Sequence, residues 1–296
     1  MTALMHRVAG APISWGVCEV PGWGWQLDAA TVLSQMREVG LVATEFGPDG
    51  FLPDEPHDKA IALADKGLQA VGGFVPVVLH RATHDPVAEV ERALDGFRAA
   101  GASTLVLAAA SGTDGYDVRP VLDEADWQIL LTNLDRLDAV ASRSGITATI
   151  HPHVGTMVEN ADDVARVLAG SRIGLCLDTG HLLIGGADPV ALAAAHAGRI
   201  RHTHLKDVAA DWAKRVQSGE VTYTDAVRRG MYRPLGKGDV DIAAIVGSLE
   251  AAGYDGWYVL EQDTILSGPP NAGQPGPTAD MRASLDHLRD IAQSLP

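Results

Sequence analysis

The chain has 296 residues, enough for one large barrel or two smaller domains, and its 46% hydrophobic and 21% charged residues fit a globular protein with a sizeable core. A formal charge of −15 repels phosphate backbones and anionic membranes, which sets nucleic acid aside as a partner. Two cysteines, Cys18 and Cys176, make no disulfide framework, and neither an export signal nor a membrane span of about 18 apolar residues is visible, so a soluble cytoplasmic protein with reduced thiols is expected.

In chain order, eight short apolar or β-branched runs are expected as strands: 8–15, 42–47, 70–79, 103–110, 146–153, 173–178, 200–207 and 257–262. Helical periodicity fills the intervals. Val87, Val90, Leu94 and Phe97 share one face after the third run. Leu130, Leu134, Leu137 and Val140 do so after the fourth, and Ile242, Ile245, Val246 and Leu249 before the eighth. Glycines at 40, 67, 101, 145 and 253 stand where helices should stop. Continuous apolar strands alternating with helices mean a parallel sheet covered on its outer face. Eight such units, with no GxGxxG after the first strand, predict an α/β fold: a single-domain (β/α)8 TIM barrel spanning 1–296. Two segments interrupt the rhythm, at about 207–238 and 264–278. Both follow a strand's C-terminal end, where barrel enzymes build their active sites, and both are expected to be loops over the mouth.

The polar residues at those strand ends carry the chemistry. They are Glu45, His80, His151, His153, Asp178, His181, His202, His204, Lys206, Glu261 and Asp263. Carboxylates and imidazoles projecting from neighbouring strand ends toward one axis are a ligand set for a divalent cation with open positions. No cysteine is expected to join them, which favours Mn, Co, Mg or Zn over a soft thiolate site. Plainer roles exist for single members. Asp178, in DTGH, is placed to cap a helix, and His202 and His204 share one side of their strand, so one of them can be a structural hydrogen-bonder. His6, His57, His84, His196 and His287 fall on expected helices or loops and read as surface residues.

These motifs resemble the sugar-phosphate isomerase/epimerase superfamily of xylose-isomerase-like barrels. The resemblance runs through APISWG (11–16), ATEFG (43–47), HPHVGTMVE (151–159), LCLDTGHLLIGGADP (175–189), HTHLKD (202–207) and GYDGWYVLEQD (253–263). HPHVGT together with DAVRRGMYRPLGKGDVD (225–241) is similar to the inosose dehydratase branch. The resemblance implies one divalent metal, Mn or Co before Mg or Zn, held by Asp178, His204 and Glu261. His151 stands where the superfamily often has a glutamate, and His153 or water is the alternative fourth ligand. It implies a polyol or sugar substrate, and dehydration of a cyclic polyol ketone (scyllo-inosose) to a diketone. His181, Lys206, Glu45 and His153 are the unranked candidates for acid and base, with Trp15, His80, His202 and Arg233 as substrate contacts. An isomerase or epimerase of the same superfamily, and a non-catalytic sugar-binding barrel, stay open. So does self-association into a homo-oligomer.

Overall fold

The computed structural model describes residues 3–269 and 276–295, so 270–275, within the Gly/Pro-rich stretch expected at 264–278, lie outside the described residues. Eight strands, β1 (Val8–Gly10), β2 (Ala43–Glu45), β3 (Gln69–Val77), β4 (Thr104–Ala109), β5 (Thr147–Ile150), β6 (Gly174–Asp178), β7 (Ile200–Leu205) and β8 (Tyr258–Leu260), form one closed barrel. All neighbours are parallel, and β8 pairs with β1 to close the ring. Closure leaves no edge strand, so every strand can be apolar on both faces. In β4, TLVLAA, all residues are buried.

The helices cover the barrel through the stripes legible in the sequence. Val90, Leu94 and Phe97 are buried on the helix Val87–Ala100, and Leu130, Leu134 and Leu137 on Glu124–Arg143. Helix starts are fixed by side-chain caps: Asp28, Asp123 and Asn160 each accept from a backbone N–H in the first turn. Two of the stops show why glycine is there. Gly40 and Gly101 turn left-handed, at φ 97° and 71°, and their N–H groups satisfy the last helical carbonyls.

Strand one departs from expectation. It ends at Gly10, and Pro12 opens a 3-10 turn over Pro12–Trp15, because proline has no N–H to extend the ladder. The turn sends Trp15 outward into the core between barrel and helices, fully buried, where its Nε1 donates to Gln35 at 2.8 Å. Strand five also stops earlier than expected, at Ile150.

Beneath the mouth the barrel axis is filled by small residues, Ala9, Ala11, Ala43, Val71 and Val259. The segment after β7 folds over the mouth. Asp207–Val208 pairs antiparallel with Tyr232–Arg233, and helices Ala210–Gln217 and Tyr223–Arg228 lie between. Asp207 anchors it, accepting from the N–H groups of Gly236, Gly238 and Val240 at 2.8, 2.9 and 3.0 Å. Trp23, Val154, Tyr223, Met231 and Tyr232 form a second apolar cluster under this cover. Among the described residues, no helix is long and apolar enough to cross a membrane.

Candidate metal centre

A parallel barrel delivers all its strand ends to one rim, and the two-residue period of a strand decides which side chains face the axis. Asp178 ends β6 and pairs in register with His204 of β7, while Val259 of β8 pairs with His204 from the other side, which sets Glu261 beside it just past the strand. Ligand atoms of Asp178, His204 and Glu261 therefore lie within 4.8 Å of one another, all three residues buried. His204 Nδ1 is 3.1 Å from Glu261 Oε2 and 3.6 Å from Asp178 Oδ2.

Asp178 divides its two oxygens between a helix cap and the rim. Oδ1 accepts from the N–H groups of Gly180 and His181, at 3.0 and 2.8 Å, and so caps the helix Thr179–Ile184. Oδ2 is left for the rim, where His151 Nε2 stands 3.0 Å away. His151 thus converges on Asp178, and it groups with Asp178 and His181 but not with the Asp178–His204–Glu261 set. Contrary to the expectation that no cysteine takes part, Cys176 forms a buried group with His151 and His204. The reason is strand parity: Cys176 is two residues before Asp178 and faces the same side. Burial pushes its thiol up to about 11, so it is a neutral neighbour at ordinary pH.

The charge balance around these groups calls for a cation. One ammonium, Lys206 Nζ, faces three carboxylates: Asp263 at 2.6 Å, Glu261 at 3.0 Å and Asp178 at 3.4 Å. Burial opposes the charge on Lys206, but Asp178, Asp263 and Glu261 outweigh it and hold the ammonium well above the usual lysine range. Burial opposes the charge on His204 too, but Glu261 and Glu45 offset it and hold that ring charged as well. Two positive charges thus face the buried carboxylates Glu45, Asp178, Glu261 and Asp263, an excess of negative charge that low-dielectric surroundings penalise. His204 Nδ1, meanwhile, is buried with no hydrogen bond. A carboxylate pair around an unused imidazole nitrogen, with surplus negative charge, fits a divalent cation.

Beside the rim lies a cavity formed between the strand ends and the loops that follow them. Its polar wall includes Glu45, His153, Lys206, Glu261 and Asp263, and its apolar wall includes Ile13, Val17, Trp23 and Phe74. His153 Nδ1 lies 2.7 Å from the carbonyl of Val154. A carbonyl only accepts, so Nδ1 carries the proton and Nε2 keeps a lone pair. Burial, with His151 and Lys206 adding to it, holds the His153 imidazole well below the usual histidine range. Asp263 binds Lys206 through one oxygen and the Tyr223 hydroxyl through the other, at 2.5 Å.

The remaining expected residues fall at graded distances. His181 is fully buried behind the cavity, its Nε2 accepting from Lys206 at 3.0 Å and its ring stacked on His153 with centroids 3.7 Å apart. His202 is also fully buried and reaches Glu45 rather than the cavity, at 2.7 Å. Trp15, His80 and Arg233 line no part of the cavity: Trp15 is core, His80 is buried off the rim, and Arg233 is exposed on the cover. The sequence singles out neither the apolar wall residues Val17, Trp23 and Phe74 nor two polar ones, Tyr116 and Glu19. The polar two hydrogen-bond to each other from the loops after β4 and β1, and Tyr116 packs on His153 with ring centroids 4.2 Å apart. Their only signal was position, in loops that follow a strand's C-terminal end.

The profile of the family described as Xylose isomerase-like TIM barrel matches residues 33–291. The rhizopine catabolism protein MocC of Rhizobium meliloti is 33% identical over 280 residues, covering 91% of this chain and 84% of that one. An inosose dehydratase of Geobacillus kaustophilus is 30% identical over 283 residues, covering 89% and 90%. Among solved structures, L-ribulose 3-epimerase superposes with a TM-score of 0.70 at 16% identity, covering 97% of this chain and 95% of that one, a likeness of fold alone.

Proposed function

This chain belongs to the xylose isomerase-like TIM barrel family, and from that premise we propose that it is a metal-dependent dehydratase of a cyclic polyol ketone, converting scyllo-inosose to a diketone. The similarity to inosose dehydratases over most of both chains supports the substrate class. The observation that carries the choice of reaction is the unlike character of the two proton-handling groups on the cavity wall. His153 offers a lone pair at Nε2, because its Nδ1 proton is tied to Val154. Lys206, held charged in the resting site by Asp178, Asp263 and Glu261, offers an ammonium proton. An elimination needs one base and one acid, whereas epimerisation needs two groups that each take and return a proton at the same carbon.

Asp178, His204 and Glu261, with His151 beside Asp178, would hold a divalent cation, which when bound would supply a Lewis acid for the ketone oxygen. His153 takes the proton from the carbon next to the ketone. The C–O bond at the following carbon breaks, and Lys206 gives its proton so that hydroxide leaves as water. The double bond left behind carries a hydroxyl, and this enol tautomerises to the second ketone. Exchange with solvent returns the proton from His153 to Lys206. Asp263, hydrogen-bonded to Tyr223, keeps the ammonium in place throughout. The apolar wall of Val17, Trp23 and Phe74 excludes water from the developing charge.

Scyllo-inosose incubated with the protein and Mn or Co should give the ultraviolet absorbance of the diketone, and His153→Gln or a chelator should abolish it. No absorbance with either metal, or interconversion of polyol ketones without loss of water, sinks this reading.

A further inference from the structure

We propose that Glu45, with His202, is the orienting pair that locks the His204 ring into its metal-binding state, which makes Glu45 a positioning residue. The proposal rests on the reading of Asp178, His204 and Glu261 as metal ligands. Glu45 ends β2 and reaches across the barrel, past β1 and β8, to β7. Its Oε1 lies 3.0 Å from His204 Nε2 and 2.7 Å from His202 Nε2, and all three side chains are buried. One carboxylate oxygen has two lone pairs, and here two imidazoles occupy them.

That arrangement decides the tautomer of His204. To ligate, the imidazole must be neutral with a single N–H, and the carboxylate oxygen at Nε2 takes it. Nδ1 is then a bare lone pair, and it is this nitrogen that faces Glu261 and Asp178 without a hydrogen bond. The other tautomer would place a proton on Nδ1, bond it to Glu261, and close the ligand position. Glu45 therefore selects between a ring that can ligate and one that cannot, as carboxylates behind metal-bound histidines do. His202 supplies the second restraint. Two residues earlier on the same strand, it shares the inward side of β7 and holds the Glu45 carboxylate by its other lone pair. Its ring meets that of His204 edge-on, at 5.4 Å and 74°.

The test compares wild type, Glu45→Ala and Glu45→Gln by calorimetric titration with Mn and Co, and by 15N NMR of the histidine rings in metal-free protein. Wild type should show His204 protonated at Nε2. Glu45→Ala should lose the hydrogen-bonded Nε2–H signal of His204 and bind metal about 10–100-fold more weakly, and Glu45→Gln, whose amide oxygen still accepts, should recover part of that loss. The Co absorption spectrum should change in Glu45→Ala as the His204 ligand is loosened. Unchanged metal affinity and an unchanged Nε2–H signal in both variants overturn the proposal, and loss of turnover on that background would make Glu45 a group acting on substrate. If wild type itself binds neither metal, the proposed function fails, while the NMR comparison still decides whether Glu45 holds the Nε2–H of His204.

Discussion

Asp178 is the residue at which structure and chemistry can be separated by one atom. Its Oδ1 caps a helix and its Oδ2 faces the proposed metal, so Asp178→Asn and Asp178→Ala should behave differently. Asparagine caps helices as well as aspartate does, and its amide oxygen can keep the bonds from Gly180 and His181. It also removes a charge that is paired in the fold: burial opposes it, but Lys206 and His181 outweigh burial and hold the Asp178 carboxyl well below the usual carboxylate range. The metal-free Asn variant should therefore be less stable than wild type and more stable than Ala. Alanine loses the cap, which costs about 0.5–2 kcal/mol, and leaves two buried N–H groups without partners. Metal should then distinguish wild type from both. At a free concentration of 100 times Kd, binding stabilises the folded state by about 2.7 kcal/mol, which for a chain of this size raises the melting temperature by roughly 5 °C or more. The assay is thermal denaturation with and without Mn. Wild type should shift upward, and Asp178→Asn should keep its metal-free melting temperature and lose the shift. An Asn variant that retains the full shift removes Asp178 from the ligand set. An Asn variant destabilised as much as Ala shows that the cap reasoning is wrong.

Other perturbations test the cover and the thiols. Asp207→Ala strands the N–H groups of Gly236, Gly238 and Val240, at about 1–3 kcal/mol for each left dry. Limited proteolysis should then cut within 208–240 while circular dichroism still reports the barrel, and an uncut segment argues against the anchor. Gly155 has φ 78°, and a Cβ there would strike the Tyr116 backbone, so Gly155→Ala should displace the loop carrying Tyr116 and raise KM more than it lowers kcat. An unchanged KM separates Tyr116 from substrate binding. Burial and the neighbouring Glu19 hold the Cys18 thiol well above the ordinary range. A raised pKa means less thiolate at a given pH, so alkylation of Cys18 should keep climbing about tenfold per pH unit beyond pH 8.5, where a free cysteine levels off. A plateau there contradicts the assigned environment.

The fold was legible because a barrel is built from repetition. Each helix carries its stripe and each strand its apolar run, and Leu130, Leu134 and Leu137 are buried where their spacing puts them. The rim was legible for the same reason, since Asp178, His204 and Glu261 sit at or just beyond strand ends and register brings them together. Legibility failed where one residue redirects the chain. Pro12 ends β1 five residues before the expected limit, and Trp15 changes sides as a result. A pattern of apolar residues does not reveal this, because a turn and a strand can both bury them.

The harder limit is that a side chain's role depends on which of its atoms is free. The sequence presents Asp178 as a cap or a ligand, and the structure gives Oδ1 to the cap and leaves Oδ2 on the rim, beside His204. Likewise His153 and His181 are equivalent as strand-end imidazoles. Only the carbonyl of Val154 and the ammonium of Lys206 distinguish them: the first leaves His153 Nε2 open to the cavity, and the second occupies Nε2 of His181. Those two partners are one residue and 25 residues distant in the chain. Neither spacing is periodic, so no sequence pattern carries it. What separates His153 from His181, and what the proposed base role rests on, is therefore the tertiary structure itself, through the atom it leaves without a partner.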